Sequence, residues 1–264
     1  MAARPALINV MATAAGKAAR GLVRDFGEVE NLQVSRKGTA DFVSEADNKA
    51  EYTIYKELKK ARPNFGFLME EKGFVSGSDK SNKWIVDPLD GTTNFLHGLP
   101  HFSISIALER DNDIYAGLIY EPVNDQMFWA EKGSGAFLNN RRLRVSNRED
   151  LSECMFATGI PFAGKEGHEP FLGQLKDVMA VSAGVRRMGS AALDLAYTAA
   201  GRFDGYWEQG INAWDMAAGI IIMREAGGVV TDFKGGNEMM KTGSIIATNT
   251  GTQTSLRKIL SKSA

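Results

Sequence analysis

Over residues 5–26 the apolar side chains Leu7, Val10, Met11, Ala14, Ala18 and Leu22 recur every three or four positions, which predicts a helix with one buried face. Ala46, Ala50, Ile54 and Leu58 predict a second helix that starts at Ser44 and stops before Pro63, with residues 36–41 as a turn ahead of it. The period then changes. Residues 65–69 and 83–86 are short apolar runs, and 102–108, 114–120, 126–130 and 136–138 fall between Gly, Asn and Asp turn signals, so the middle of the chain predicts strands. After residue 150 strands and helices alternate: a strand over 155–158, helices over 169–179 and 190–200, a helix from Asp215 to Gly227-Gly228, strands over 229–232 and 245–247, and a last helix from Thr252. No repeat or linker interrupts this order. The expected architecture is α/β (α+β), with two sheet-containing halves, 1–150 and 151–264, forming one compact unit covered by helices.

Composition narrows the class. A chain of 264 residues that is 44% hydrophobic can bury a large core. Its 31 basic and 32 acidic residues leave a net charge of −1 without a long basic block, so strong nucleic-acid binding is not expected. A single cysteine, Cys154, excludes an intrachain disulfide and a thiolate metal cage, and predicts a reducing, cytoplasmic setting. Arg4, Lys17 and Arg20 break up the N-terminal apolar pattern, and the run 217–223 is far shorter than a bilayer, so neither a signal peptide nor a membrane span is expected.

Candidate chemistry centres on the stretch WIVDPLDGTTNFLHG, residues 84–98. Asp87 ends an apolar run, Pro88 is expected to stop strand pairing, and Asp90 precedes a helix that opens at Gly91-Thr92. Carboxylates hold hard cations through oxygen, and the free N–H groups of a helix start attract phosphate, so the pair fits a metal-assisted phosphoryl site. It equally fits a turn residue followed by an N-cap. Glu70-Glu71, after a predicted strand, suit either the mouth of an α/β site or a solvated surface. Asp215 is placed to cap its helix. His97, His101 and His168 lack zinc-ligand spacing, and neither a Gly-x-Ser-x-Gly elbow nor an ATP-binding glycine loop occurs, which leaves oxygen-ligated magnesium. His97 and His101 suit polar positions around a helix end, and Cys154 suits a small apolar site.

Residues 87–92, DPLDGT, together with 214–219, WDMAAG, resemble the paired signature of the inositol monophosphatase family. The segments 37–47, Glu70-Glu71, 188–192 and 206–208 follow in the family's order, and 186–197, RRMGSAALDLAY, is most similar to the bacterial members. The resemblance implies a layered α-β-α-β-α sandwich and a lithium-sensitive, magnesium-dependent phosphoric monoester hydrolase. It further implies a homodimer with two or three Mg2+ ions per active site. By the same resemblance Glu70, Asp87, the Leu89 carbonyl and Asp90 are metal ligands, and Asp215 serves a second ion. Glu70, Thr92 and Asp47 take catalytic positions, with Thr92 and Asp47 orienting and deprotonating the attacking water. Substrate contacts fall on Asp90, Gly91, Thr92 and Asp215, and on Gly189, Ser190, Ala191 and Glu208 toward sugar-like hydroxyls. Ser190 is also read as an N-cap and Glu208 as a solvated acid. Met69 departs from the small residue that many relatives carry there, and Arg186 and Arg187 suit a dimer contact or the open surface. The expected substrate is myo-inositol 1-phosphate or a related polyol phosphate. Alternatives are fructose 1,6-bisphosphate, histidinol phosphate, 3′-phosphoadenosine 5′-phosphate, or a binding role in association with a transcription complex.

Overall fold

The computed structural model of the chain describes residues 4–28, 34–37 and 41–263. Helix α1 (Ala6–Phe26) buries Ile8, Met11, Ala14, Ala15, Ala18 and Leu22, and α2 (Glu45–Ala61) sets Ala46, Ala50, Ile54 and Leu58 against the same core. Alanines on both faces let the helices approach closely. Between them β1 (Val34–Lys37) and β2 (Asp41–Ser44) pair antiparallel, so a short ribbon flanks the predicted turn. Residues 38–40 of that turn, and of the motif spanning 37–47, lie outside the described residues.

The middle of the chain supplies β3 (Gly66–Met69), β4 (Gly73–Val75), β5 (Asn82–Asp90), β6 (Ser103–Arg110), β7 (Asp113–Glu121), β8 (Gln126–Glu131), β9 (Gly135–Leu138) and β10 (Arg141–Arg142). They form one sheet in the order β10-β9-β8-β7-β6-β5-β3-β4. β3 and β5 run parallel, which brings the C-terminal ends of both to one edge of the molecule. A second sheet orders β12 (Gly184–Arg186), β11 (Met155–Thr158), β13 (Gly205–Gln209), β15 (Ser244–Thr248) and β14 (Val229–Thr231). β12 is a three-residue edge and β13 has an apolar run of only Tyr206-Trp207, so neither carries an alternation long enough to read from sequence.

Five layers result. α1 and α2 cover one face of the larger sheet. α5 (Ala191–Ala199) and α6 (Ala213–Glu225) fill the space between the sheets, and α4 (His168–Met179) and α7 (Gln253–Leu260) cover the outer face of the smaller one. This is the α-β-α-β-α sandwich. α6 has no polar side over Met216–Met223, because both its faces meet a sheet or a helix. Close approach here depends on glycine: a Cβ on Gly219 would stand 2.4 Å from Leu195 Cδ1 of α5. Among the described residues no helix is long and apolar enough to cross a membrane.

Pro88 does not end β5. Pairing with β6 holds from Asn82↔Arg110 to Asp87↔Ser105, skips Pro88 and Leu89, and resumes at Asp90↔Ser103. The expectation of a strand stop is therefore corrected: proline lacks the ladder donor, and the chain accommodates it in a bulge that adds one residue.

Candidate active site

The bulge turns Asp87 and Asp90 toward the same place. Side chains three positions apart on a regular strand point to opposite faces, and the extra residue cancels that alternation. Asp215, at the third position of α6, reaches the same point from the central layer, and carboxylate oxygens of Asp87, Asp90 and Asp215 lie within 4.8 Å of one another. Asp47 of α2 and Glu70 and Glu71, which follow β3, form a second trio on the same criterion. The trios adjoin, since the charges of Glu70 and Asp47 both act on Asp87.

Each acid of the first trio has a fixed partner on the backbone. Asp87 Oδ1 accepts from the Leu89 N–H at 2.9 Å. Asp215 Oδ2 accepts from the Asn212 N–H at 2.6 Å, half of a capping box with the N-cap Asn212. Asp90 Oδ2 accepts from the Ala192 N–H at 2.8 Å and from the Ser190 hydroxyl. The start of α5 thus grips a carboxylate of the protein itself, and Ser190 is also the N-cap of that helix. Thr92 Oγ1 donates to the Leu89 carbonyl at 2.9 Å.

These surroundings are hostile to bare negative charge. Burial pushes Asp87 and Asp215 well above the usual carboxylate range, and the neighbouring acids push them further. Burial also raises Asp90 to about 6, although the Ser190 and α5 donors pull it down. A cluster of hard oxygen donors in this state fits a hard divalent cation, whose charge relieves the repulsion. Asp87, Asp90 and Asp215, with Asp47, Glu70 and Glu71 adjoining, are the acids that could hold it, and the Leu89 carbonyl lies inside the bulge.

Next to Asp90, Gly91 has φ 94°, and a Cβ there would stand 3.0 Å from the His101 carbonyl. Only glycine fits. It caps α3 (Thr92–Leu96), a single turn, so what it offers an anion is the exposed N–H groups rather than a long dipole. Gly189 (φ 89°) lies opposite, its carbonyl 3.4 Å from that same Cβ position. Ala191 opens α5 beside it. Glu208 is half-buried and its Oε2 accepts from the Tyr206 hydroxyl, so the reading of a solvated acid does not hold. Desolvation raises its pKa to about 7.

The sequence pattern does not single out Glu51, Asn94 or Asp194. Glu51 accepts from the Glu71 N–H at 2.8 Å and so places the Glu70-Glu71 pair; its signal is an acid four residues after Asp47 on the apolar face of α2. Asn94 Nδ2 donates to the carbonyls of His101 at 2.8 Å and Met188 at 2.9 Å, tying α3 to the loop before α5. Asp194 is buried on α5. His97 is the C-cap of α3, and Cys154 is buried in the outer apolar core, as expected.

Residues 5–263 match the profile of the inositol monophosphatase family. The chain is 58% identical over 260 residues to an inositol-1-monophosphatase of Mesorhizobium japonicum, covering 98% of each protein. It is 42% identical over 243 residues to Nus factor SuhB of Escherichia coli K12, covering 92% of this chain and 91% of that one. The crystal structure of extragenic suppressor protein SuhB from Bartonella henselae superposes with a TM-score of 0.95 at 58% identity, over 98% of this chain and 99% of that one. With its fold, its acidic site and its sequence in agreement over nearly their whole length, the chain belongs to the inositol monophosphatase family and is a phosphatase.

Proposed function

We propose that this phosphatase hydrolyses myo-inositol 1-phosphate, or a closely related polyol monophosphate, with magnesium held by Glu70, Asp87, Asp90, Asp215 and the Leu89 carbonyl. The observation that carries this is the convergence of two acidic trios at the end of parallel strands, beside the glycine-capped turn at Gly91. When bound, two or three ions supply positive charge to the phosphoryl oxygens and acidify the attacking water. The N–H groups at Gly91 and Thr92 hold the phosphate. Asp47 and Thr92 orient the water and take its proton, and Glu208, with Gly189, Ser190 and Ala191, faces the hydroxyls of the alcohol. Residues 1–150 and 151–264 act as two halves of one catalytic unit, an inference supported by the Asp90 bond across to α5. The enzyme works as a cytoplasmic homodimer.

Phosphate release from a panel of monoesters with Mg2+ tests the assignment, the panel including inositol 1-phosphate, fructose 1,6-bisphosphate, histidinol phosphate and 3′-phosphoadenosine 5′-phosphate. The inositol ester is expected to turn over fastest. Asp90→Asn and Asp215→Asn are expected to lose about a hundredfold or more in kcat while folding normally. Release from none of the esters would end this assignment.

A second role, association with a transcription complex, is favoured by the relatives named Nus factor SuhB. Pull-down of transcription components by wild type and Asp90→Asn separates the two roles: a partner retained by the inactive variant supports binding independent of turnover, and no partner with either protein removes it.

A further inference from the structure

The Glu208 carboxylate lies directly on the backbone of Gly159. A Cβ built on Gly159 would stand 1.8 Å from Glu208 Oε1 and 1.9 Å from its carboxyl carbon, far inside van der Waals contact. Gly159 is not among the residues of positive φ, so glycine is required here for space and not for its conformational freedom. The contact follows from the sheet. β11 runs parallel to β13 with Thr158 opposite Trp207, and the Thr158 hydroxyl donates to the Trp207 carbonyl at 2.8 Å, so the next residue of each strand meets at the end of the pairing.

A second restraint comes from the other oxygen. Tyr206, two residues before Glu208, projects from the same face of β13 and donates its hydroxyl to Oε2. Tyr206 is fully buried against α5 in the central core, while Trp207 between them packs into the outer core. Burial and the nearby acids hold the phenol well above its usual pKa, so it stays a donor. The buried Asp194 of α5 has an Oδ1 without a hydrogen-bond partner among the described residues, and burial, then the Glu208 charge, push its carboxyl well above the usual carboxylate range. The place of Glu208 is bounded by a missing Cβ on one side and a hydroxyl on the other.

We infer that Gly159 and Tyr206 are positioning residues that set substrate specificity: together they fix the Glu208 carboxylate in the orientation that recognises the hydroxyls of a polyol phosphate. The inference rests on the assignment of Glu208 to the alcohol side of the site. A methyl group at residue 159 collides with the flexible end of a side chain rather than with backbone, so Gly159→Ala displaces Glu208 at little cost to the fold. Tyr206→Phe removes a single oxygen and leaves the ring in its packing.

The test compares steady-state kinetics of wild type, Gly159→Ala, Tyr206→Phe and Glu208→Ala with Mg2+ on two esters, inositol 1-phosphate and 4-nitrophenyl phosphate, which has no hydroxyl for Glu208 to bind. Gly159→Ala is expected to raise KM for the inositol ester about tenfold, and Tyr206→Phe about threefold, as one charge-assisted hydrogen bond is misplaced or loosened. Both variants should keep kcat for that ester within about twofold and show a much smaller KM change on the nitrophenyl ester. Equal losses on both esters, or wild-type KM in both variants while Glu208→Ala raises it, overturn the positioning role alone. Unchanged KM for the inositol ester in Glu208→Ala overturns the assignment of Glu208 itself, and the positioning role with it.

Discussion

Thr92 shows how one side chain serves two neighbours. Its hydroxyl donates to the Leu89 carbonyl inside the bulge and stands at the start of the turn capped by Gly91. Thr92→Val keeps the shape and removes the oxygen. Where Thr92 orients the attacking water, this change lowers kcat about a hundredfold or more with KM little altered, which steady-state assay on the preferred ester reads directly. A kcat within a few fold of wild type would leave Thr92 a structural role only. The carboxylates are equally double in function, since each already accepts a hydrogen bond from the protein: Asp87 from Leu89, Asp90 from Ser190 and Ala192, Asp215 from Asn212. They are held in place before any cation binds, which reduces the ordering that binding requires.

At the scale of elements, the central layer is where packing is least forgiving. The Cβ that Gly219 lacks would strike Leu195 at 2.4 Å, and that of Gly117 in β7 would strike the Ala218 carbonyl at 2.8 Å, so α6 is pressed against both α5 and the larger sheet. Gly219→Ala is expected to destabilise the fold by about 1–3 kcal/mol, because the gain in helix propensity is smaller than the cost of overpacking. Urea unfolding with an unchanged m-value checks this. α1 and α2 were legible because their apolar positions recur at helical spacing, β6–β8 and the first half of β5 as apolar runs, and α5 and α6 from the cap and glycine signals at their ends. β12 and β13 were not, since three residues at a sheet edge or two aromatics in a row carry no period. The acidic motifs were legible as residues, but their meeting was not: distances between Asp47, Glu70 and Asp215 follow from the parallel pairing of β3 with β5 and from the sandwiching of α6, which no local pattern encodes. Asp194 and Gly159 were hidden for the same reason, each having significance only through Glu208.

For the molecule as a whole the buried acids leave a signature in its response to pH. Glu208 rises from an ordinary 4.5 to about 7 and Asp90 from 3.8 to about 6, so between those limits the unfolded chain has released protons that the folded chain still holds. Stability of the metal-free protein therefore falls as pH climbs from about 5 to about 7 and stays low above, the reverse of the acid-labile behaviour of paired carboxylates. Thermal melts should show a Tm several degrees lower at pH 8 than at pH 5 without divalent ions, and saturating Mg2+ should restore more at pH 8 than at pH 5. A Tm that rises over this interval in the absence of ions would contradict the balance of charge described for the site.

The bulge at Pro88 has a consequence for how this chain can change. Were the same three-position spacing laid out as regular strand, without the extra residue being absorbed, the two acids would be delivered to opposite sides of the sheet, one toward α2 and one toward α6. Substitutions around the site alter its strength by degrees, whereas ironing out the bulge at unchanged spacing would part the two acids in one step. The match of spacing to bulge, more than the identity of any one neighbour, is what descendants of this chain are obliged to keep.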